Sequence, residues 1–193
     1  MDAILRFDRN LFYLINGRLT NPFLDAFMPF MSEKSTLFFI VIVGAVLVLV
    51  KGKRKDFSWL VLVVVAVLVS DLLAATLKNV FLRIRPCHAL EDVRLLMGCG
   101  GSYSFPSGHA TNVFSAAVLL SARRARYTPA FLMIAVGVSY SRVYVGVHYP
   151  LDVVGGAALG TACALVFSGL DRRCLQPIIN YARKGRRDIE VQE

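Results

Sequence analysis

Charge is scarce in this chain. Only 18% of its 193 residues are Asp, Glu, Lys or Arg, where soluble domains carry about a quarter, so a water-facing surface on all sides is excluded. Histidine is scarcer still, at three residues, and the four cysteines are too few for a disulfide scaffold. No internal repeat and no Pro-, Gly- or Ser-rich linker divides the sequence, so 1–193 is expected to form one domain. No basic start followed by a short apolar stretch and a small-residue cleavage site is evident, so the targeting information is expected to lie in the apolar runs themselves.

What the sequence does have is apolar length. Hydrophobic residues make up 56% and mean hydropathy is +0.58. They gather in runs at 36–50, 57–77, 110–121, 129–147 and 151–170, which predicts an all-α, polytopic transmembrane helix bundle of about five spans. The first run, 15 residues, reaches about 22 Å at helical rise and needs flanking residues to cross a bilayer core. Residues 1–35 read as an interfacial segment. Ile4, Phe7, Leu11, Leu14 and Ile15 fall near one face of a helix over 3–15, and Asn21-Pro22 separates it from a second short helix over 23–31. The alternative is a sixth, weakly hydrophobic span.

The net charge of +9 is better explained by topology than by nucleic acid, because no basic stretch carries interleaved aromatics or a reader motif. Thirteen of the 22 cations lie in three stretches, 51–55, 123–126 and the tail after 171, and these alternate correctly for one membrane face. That face is assigned to the cytoplasm, with 171–193 as a basic tail. Lys78, Arg83, Arg85, Arg94 and Arg142 remain on the opposite side, where an excess of cations needs a function.

Three polar clusters share that opposite side. The first is Lys78 to Pro86, read as a helix that runs to Pro86 and carries Lys78 and Arg85 two turns apart on one face, either to hold one anion or to snorkel at the boundary. The second, Ser102 to His109, sets Pro106-Ser107-Gly108 before a helix; free N–H groups there and the absence of a Cβ at Gly108 suit a phosphate oxygen. The third, Ser141 to Asp152, places Arg142 within an apolar run, where an arginine must face a polar environment, and leaves His148 on a connection with Asp152 close enough to fix its tautomer. Asp71, seven residues before Lys78, reads as a buried polar partner within the bundle. Cys87 and Cys99 either form a disulfide or remain free thiols, His88 reads as a solvated loop residue or a rim contact, and Gly155, Gly156 and Gly160 read as close helix packing.

Taken in order, Lys78-x6-Arg85-Pro86, Pro106-Ser-Gly-His109 and Ser141-Arg142-x5-His148-x3-Asp152 resemble the complete three-part signature of the type 2 phosphatidic acid phosphatase family. The resemblance covers 78–152. It implies a metal-independent hydrolase of membrane lipid phosphates that needs no cofactor, with Lys78, Arg85, Ser107, Gly108 and Arg142 binding phosphate. His148 is then the nucleophile, Asp152 orients it and His109 is the acid/base partner. The five-span layout with its amphipathic start is similar to the small bacterial undecaprenyl diphosphate phosphatases, although some of those have Asp where this chain has Gly108. The implied setting is a bacterial inner membrane with the site facing outward, and the implied substrate is undecaprenyl diphosphate, with phosphatidic acid, phosphatidylglycerol phosphate, diacylglycerol pyrophosphate and lipid A phosphate as alternatives. The cradle also resembles that of the soluble vanadium haloperoxidases, against which the spans argue. A lipid-phosphate binder or transporter is a third possibility, and it would not need the His148–Asp152 pair.

Overall fold

The Asn21-Pro22 break marks a real boundary. In the computed structural model, which describes residues 2–33 and 54–171, Asn21 caps a helix by accepting from Leu24 N at 2.9 Å, with Pro22 as the first helical residue. That helix, α2 (Pro22–Ser32), follows α1 (Asp2–Tyr13) and a π-helical turn at Leu14–Arg18. Next come α3 (Arg54–Phe81), the short α4 (Pro86–Ala89), α5 (Gly108–Arg123), α6 (Thr128–Tyr144) and α7 (Pro150–Leu170). There is no strand among the described residues. The apolar run 36–50, Lys51 to Lys53 and the tail beyond Asp171 lie outside those residues.

Two stretches, Phe57–Ala89 and Pro150–Leu170, are long and apolar enough to cross a membrane, and only 28% of each apolar window is buried within the protein. A soluble core helix would be covered; these turn most of their apolar surface outward. The 16 residues of α5 and 17 of α6 reach only about 24 to 26 Å at 1.5 Å per residue.

Helix α5 lies against α3, α6 and α7, with its closest partner α7. The seam explains the glycines. A Cβ on Gly156 would meet Ser107 O at 2.5 Å, and one on Gly160 would collide with the Thr111 carbonyl, so both positions require bare backbone. Gly155 similarly admits the Phe105 ring. Val63, Ala66, Leu119 and Ala164 fill the space between α3, α5 and α7.

Two expectations need correction. The helix carrying Lys78 does not reach Pro86. It ends at Phe81, because Leu82 turns into a positive φ of 51° after its N–H donates to Lys78 O at 3.0 Å. Arg85 therefore sits on an extended segment (φ −68°, ψ 151°), not two turns above Lys78 on one helix. Asp71 is exposed rather than buried, and accepts from Asn112 Nδ2 at 2.7 Å across the α3–α5 interface.

The N-terminal helices lie against the bundle by a mixed face. Asp8, Phe12 and Asn16 are each about 1% exposed or less, whereas Ile4 and Phe7 are more than 60% exposed. Phe12 packs with Val143 and Tyr149, and Met28 of α2 with Tyr144, Val145 and Val147. The exposed apolar side suits a helix lying in a membrane interface.

Candidate active site

Pro150 opens α7 and leaves Val145–Tyr149 as a tight connection, turned by Gly146 at φ +89°, where a Cβ would also press on Arg94 O at 2.9 Å. His148 on this connection is 2% exposed. Its Nδ1 lies 3.4 Å from Asp152 Oδ2 and 3.5 Å from Ser104 Oγ, the loose spacing common to sites without a bound ligand. Asp152 Oδ2 also accepts from Tyr149 N at 2.8 Å and from Ser104 Oγ, so its direction is fixed from several sides. With Nδ1 turned to the carboxylate, Nε2 faces the Arg85 guanidinium, 3.4 Å from Nη1. Burial holds the His148 pKa down at about 4; Asp152 pulls it upward, and Arg85 and Lys78 push it lower. The ring is neutral at neutral pH, with a lone pair available.

Three cations gather on this side, Arg85 against the imidazole, Lys78 near enough to act on it, and Arg142 near enough to act on Arg85, and each is anchored by neutral groups. Arg85, 7% exposed, donates from Nε to Ser102 O at 2.6 Å, from Nη2 to Ser102 Oγ at 2.9 Å and from Nη1 to Val147 O at 3.1 Å. Lys78 Nζ donates to Tyr103 O at 2.7 Å and Ser104 O at 3.2 Å. Arg142 Nη1 donates to Ser32 O at 3.0 Å and Ser32 Oγ at 2.5 Å. Lys78 feels both arginines as like charges, and Arg142 feels Arg85. Among the described residues no carboxylate is within ion-pair distance of any of the three. Carboxylates act on them only from a distance, Asp152 on Lys78 and Arg85 and Glu33 on Arg142, so cations held together without a direct ion pair form a site that an anion would stabilise.

The Pro106-Ser-Gly-His109 turn is fastened to the same place. Ser107 N donates to Asp152 O at 2.9 Å, which sets the α5 N-terminus beside the first turn of α7. Ser107 Oγ is buried without a hydrogen-bond partner among the described residues. Gly108 and His109 occupy the first turn of α5, both half-buried. The structure thus brings the segments carrying Lys78, Arg85, Ser107, Gly108, His109, Arg142, His148 and Asp152 to one end of the bundle.

The 90–107 segment forms the rim. Cys87 and Cys99 are disulfide-bonded, so of the two open readings the structure has the bridge. It closes the base of the segment that brings Ser102 back to Arg85. His88 is exposed, with Nε2 3.2 Å from Cys99 Sγ. Cys87, His88 and Cys99 are near enough to one another to share a metal ion, but the two sulfurs are bonded to each other.

Sequence reasoning singled out Arg83 and Arg94 as surplus cations but missed their partners, and it missed several other residues outright. Arg83 Nη1 donates to Asp152 Oδ1 at 2.6 Å and Nη2 to Asp8 Oδ2 at 2.5 Å, and Arg94 pairs with Asp25. The surplus cations on this side therefore divide: Arg83 and Arg94 are neutralised by carboxylates, and Lys78, Arg85 and Arg142 are not. Ser104 on Asp152, Ser102 on Arg85 and Ser32 on Arg142 were also not anticipated. A weak signal did exist for Asp8, since a carboxylate four residues before Phe12 and eight before Asn16 lies on one helical face.

The sequence and the fold are similar to those of known proteins. The family model described as PAP2 superfamily matches residues 59–174. The chain is 36% identical over 168 residues to the lipid A 4'-phosphatase of Porphyromonas gingivalis, covering 83% of this chain and 71% of that protein. It is 36% identical over 156 residues to the undecaprenyl-diphosphatase of Sulfolobus acidocaldarius, covering 80% and 74%. Among solved structures it resembles Aquifex aeolicus LpxE, with TM-score 0.70, 31% identity and coverage of 83% and 93%. It also resembles a PAP2 type phosphatidylglycerolphosphate phosphatase from Bacillus subtilis, with TM-score 0.72, 26% identity and coverage of 90% and 89%. With a family model over more than half its length and relatives of this identity and coverage, the chain belongs to the PAP2 superfamily and is a phosphatase of that family.

Proposed function

We propose that this chain removes phosphate from a membrane lipid phosphate or diphosphate through a phosphohistidine formed on His148, without a metal. The observation that carries the reading is a cluster of three cations held by neutral groups, Lys78, Arg85 and Arg142, with Arg85 directly against a buried, neutral imidazole. A phosphate there would neutralise the cluster and present phosphorus to His148 Nε2. In-line attack forms the N–P bond as the bond from phosphorus to the leaving oxygen breaks, and His109 donates the proton that oxygen needs. His109 then takes a proton from water as its oxygen attacks phosphorus, the N–P bond breaks and inorganic phosphate leaves. Asp152 holds the Nδ1 proton throughout and stabilises positive charge on the ring. The cations, with Ser107 and the backbone at Gly108, stabilise the equatorial oxygens; such preorganised donors contribute on the order of 100- to 1000-fold each.

The lipid reading rests on the apolar helices and on relatives named for lipid-linked substrates. In this proposal five spans cross the membrane with the basic stretches 51–55, 123–126 and 172–193 in the cytoplasm. The site opens at the outer interface, where a headgroup enters and its tail stays in hydrocarbon. Undecaprenyl diphosphate is the first substrate to test. The lipid A phosphatase among the relatives makes lipid A phosphate the second.

The test is phosphate release by purified protein from undecaprenyl diphosphate, lipid A, phosphatidic acid and phosphatidylglycerol phosphate, with EDTA present. Turnover that is lost in His148→Ala supports the reading. A fully active His148→Ala protein, or activity abolished by EDTA, overturns it.

A further inference from the structure

Asp8 has no place in the three-part signature, yet it is among the most buried charged groups described, with its side chain 0% exposed. Burying a carboxylate costs several kcal/mol unless it is paired and hydrogen-bonded. Both its oxygens are used. Oδ2 accepts from Arg83 Nη2 at 2.5 Å, and Oδ1 accepts at 2.8 Å from Leu151 N, a helix N-terminal amide next to Asp152. The second arm of Arg83 reaches Asp152 Oδ1 at 2.6 Å, and its guanidinium lies 4.1 Å from the centroid of the Tyr149 ring. One planar fork therefore bridges two buried carboxylates, and the far oxygen of Asp152 faces His148.

We propose that Asp8 and Arg83 are positioning residues for the reaction: they hold Asp152 toward His148 and set the charge that the imidazole feels. The inference rests on the reading of His148 as nucleophile. Arg83 takes one Asp152 oxygen, leaving the other for Ser104, Tyr149 N and the imidazole, so the carboxylate cannot rotate away. Its cation offsets part of the negative charge that would otherwise make His148 more basic, and Asp8 in turn offsets part of Arg83. The other charged groups acting on the His148–Asp152 pair are Lys78 of α3 and Arg85 after it, and Tyr149 lies close enough to Asp152 to feel its charge. None of these side chains is itself altered when only Asp8 or Arg83 is changed. The sequence separations are 75 residues from Asp8 to Arg83 and 69 from Arg83 to Asp152, so α1 is tied to the reaction centre by one side chain.

Opposite charge changes should move the pH profile in opposite directions. Loss of the Arg83 cation strengthens the field of Asp152 and makes protonation of the His148–Asp152 pair easier. The acidic limb of kcat/KM should then rise by about one pH unit in Arg83→Gln. Asp8→Asn removes an anion, so its acidic limb should move to lower pH. The double variant should return near the wild-type limb, and Arg83→Lys, which keeps the charge but loses the fork, should keep the limb while kcat falls about tenfold with KM little changed. The full chain in detergent or nanodiscs is assayed for phosphate release, and folding is followed by thermal unfolding. A purely structural role would lower the unfolding temperature and the active fraction, leaving every limb on the wild-type curve. Unmoved limbs, or limbs moving the same way in Arg83→Gln and Asp8→Asn, overturn the proposal. If Arg83→Gln does not fold, Asp8→Asn and Arg83→Lys still decide it. Retained activity in His148→Ala sinks the nucleophile assignment beneath it, whereas an inactive His148→Ala with unmoved limbs sinks only this inference.

Discussion

Two sets of cations lie on the same side of this protein and have opposite surroundings. Arg83 and Arg94 are matched with carboxylates: Arg83 between Asp8 and Asp152, Arg94 on Asp25. Lys78, Arg85 and Arg142 are held by carbonyls and hydroxyls, close enough to repel one another. An ion pair is complete as it stands. A cation fixed by neutral acceptors has no direct ionic partner, and keeping three of them adjacent costs energy that Asp152, Asp71 and Glu33 offset from a distance and a bound anion would offset further. The difference separates cations already paired from those that the proposal assigns to phosphate, without reference to a motif.

The most severe break in that comparison is at its centre. His148→Ala should lower kcat by more than about 10,000-fold and abolish labelling of the protein by a substrate carrying radioactive phosphate, as expected when a covalent nucleophile is removed. Next, Arg85→Ala and Arg142→Ala should each cost about 100- to 1000-fold in kcat/KM, measured by phosphate release. Arg94→Ala, from the paired set, should change kcat/KM by less than about threefold, the range of an exposed ion pair. It should instead lower the unfolding midpoint, and only at pH values where Asp25 is ionised. Arg94 holds the Asp25 pKa below its ordinary value, so the stability the pair adds is present above that ordinary value and disappears as pH falls through the depressed one. If Arg94→Ala were as damaging to turnover as Arg85→Ala, the division into two sets would fail.

A smaller effect concerns the acid side of the rate profile. With His148 near pKa 4, the neutral nucleophile is fully present above about pH 5 and declines tenfold per unit well below pH 4, while the need for a proton on His109 brings the rate down again at alkaline pH. The profile should be bell-shaped. Smallest of all, Cys99→Ser should reduce kcat/KM only about two- to tenfold, since Ser102 still reaches Arg85 but from a loop whose base is no longer closed.

Much of the helical layout was legible. Asn21-Pro22, Thr128-Pro129 and Tyr149-Pro150 stand at helix starts, and the described runs of apolar residues match α3, α5, α6 and α7. The end of α3 was not, because Leu82 adopts positive φ without being glycine, a conformation that leucine rarely takes and that its sequence does not announce. The signature residues were legible as chemistry, since Arg142 and His148 stand out in apolar surroundings. Their supports were not. Ser32 and Arg142 are 110 residues apart, and a serine in a short N-terminal helix carries no mark of the arginine it will hold. Asp8 was hidden likewise, because on an amphipathic helix a carboxylate reads as part of the wet face.

The seam between α5 and α7 has a further consequence. Gly156 and Gly160 bring α7 onto the backbone of α5, and the peptide N–H of Ser107 is bonded to the carbonyl of Asp152. The segments carrying the two histidines are thus registered by main chain, which side-chain repacking elsewhere leaves unchanged. The outer rim at 90–101, apart from the Leu96 N–Val145 O bond, and the N-terminal helices are fastened to the bundle mostly by side chains. A designer seeking a new headgroup preference could therefore rebuild the outer part of the rim, 90–101, while Ser32 and the stretch Ser102 to Ser107, which hold the cations and Asp152, are kept.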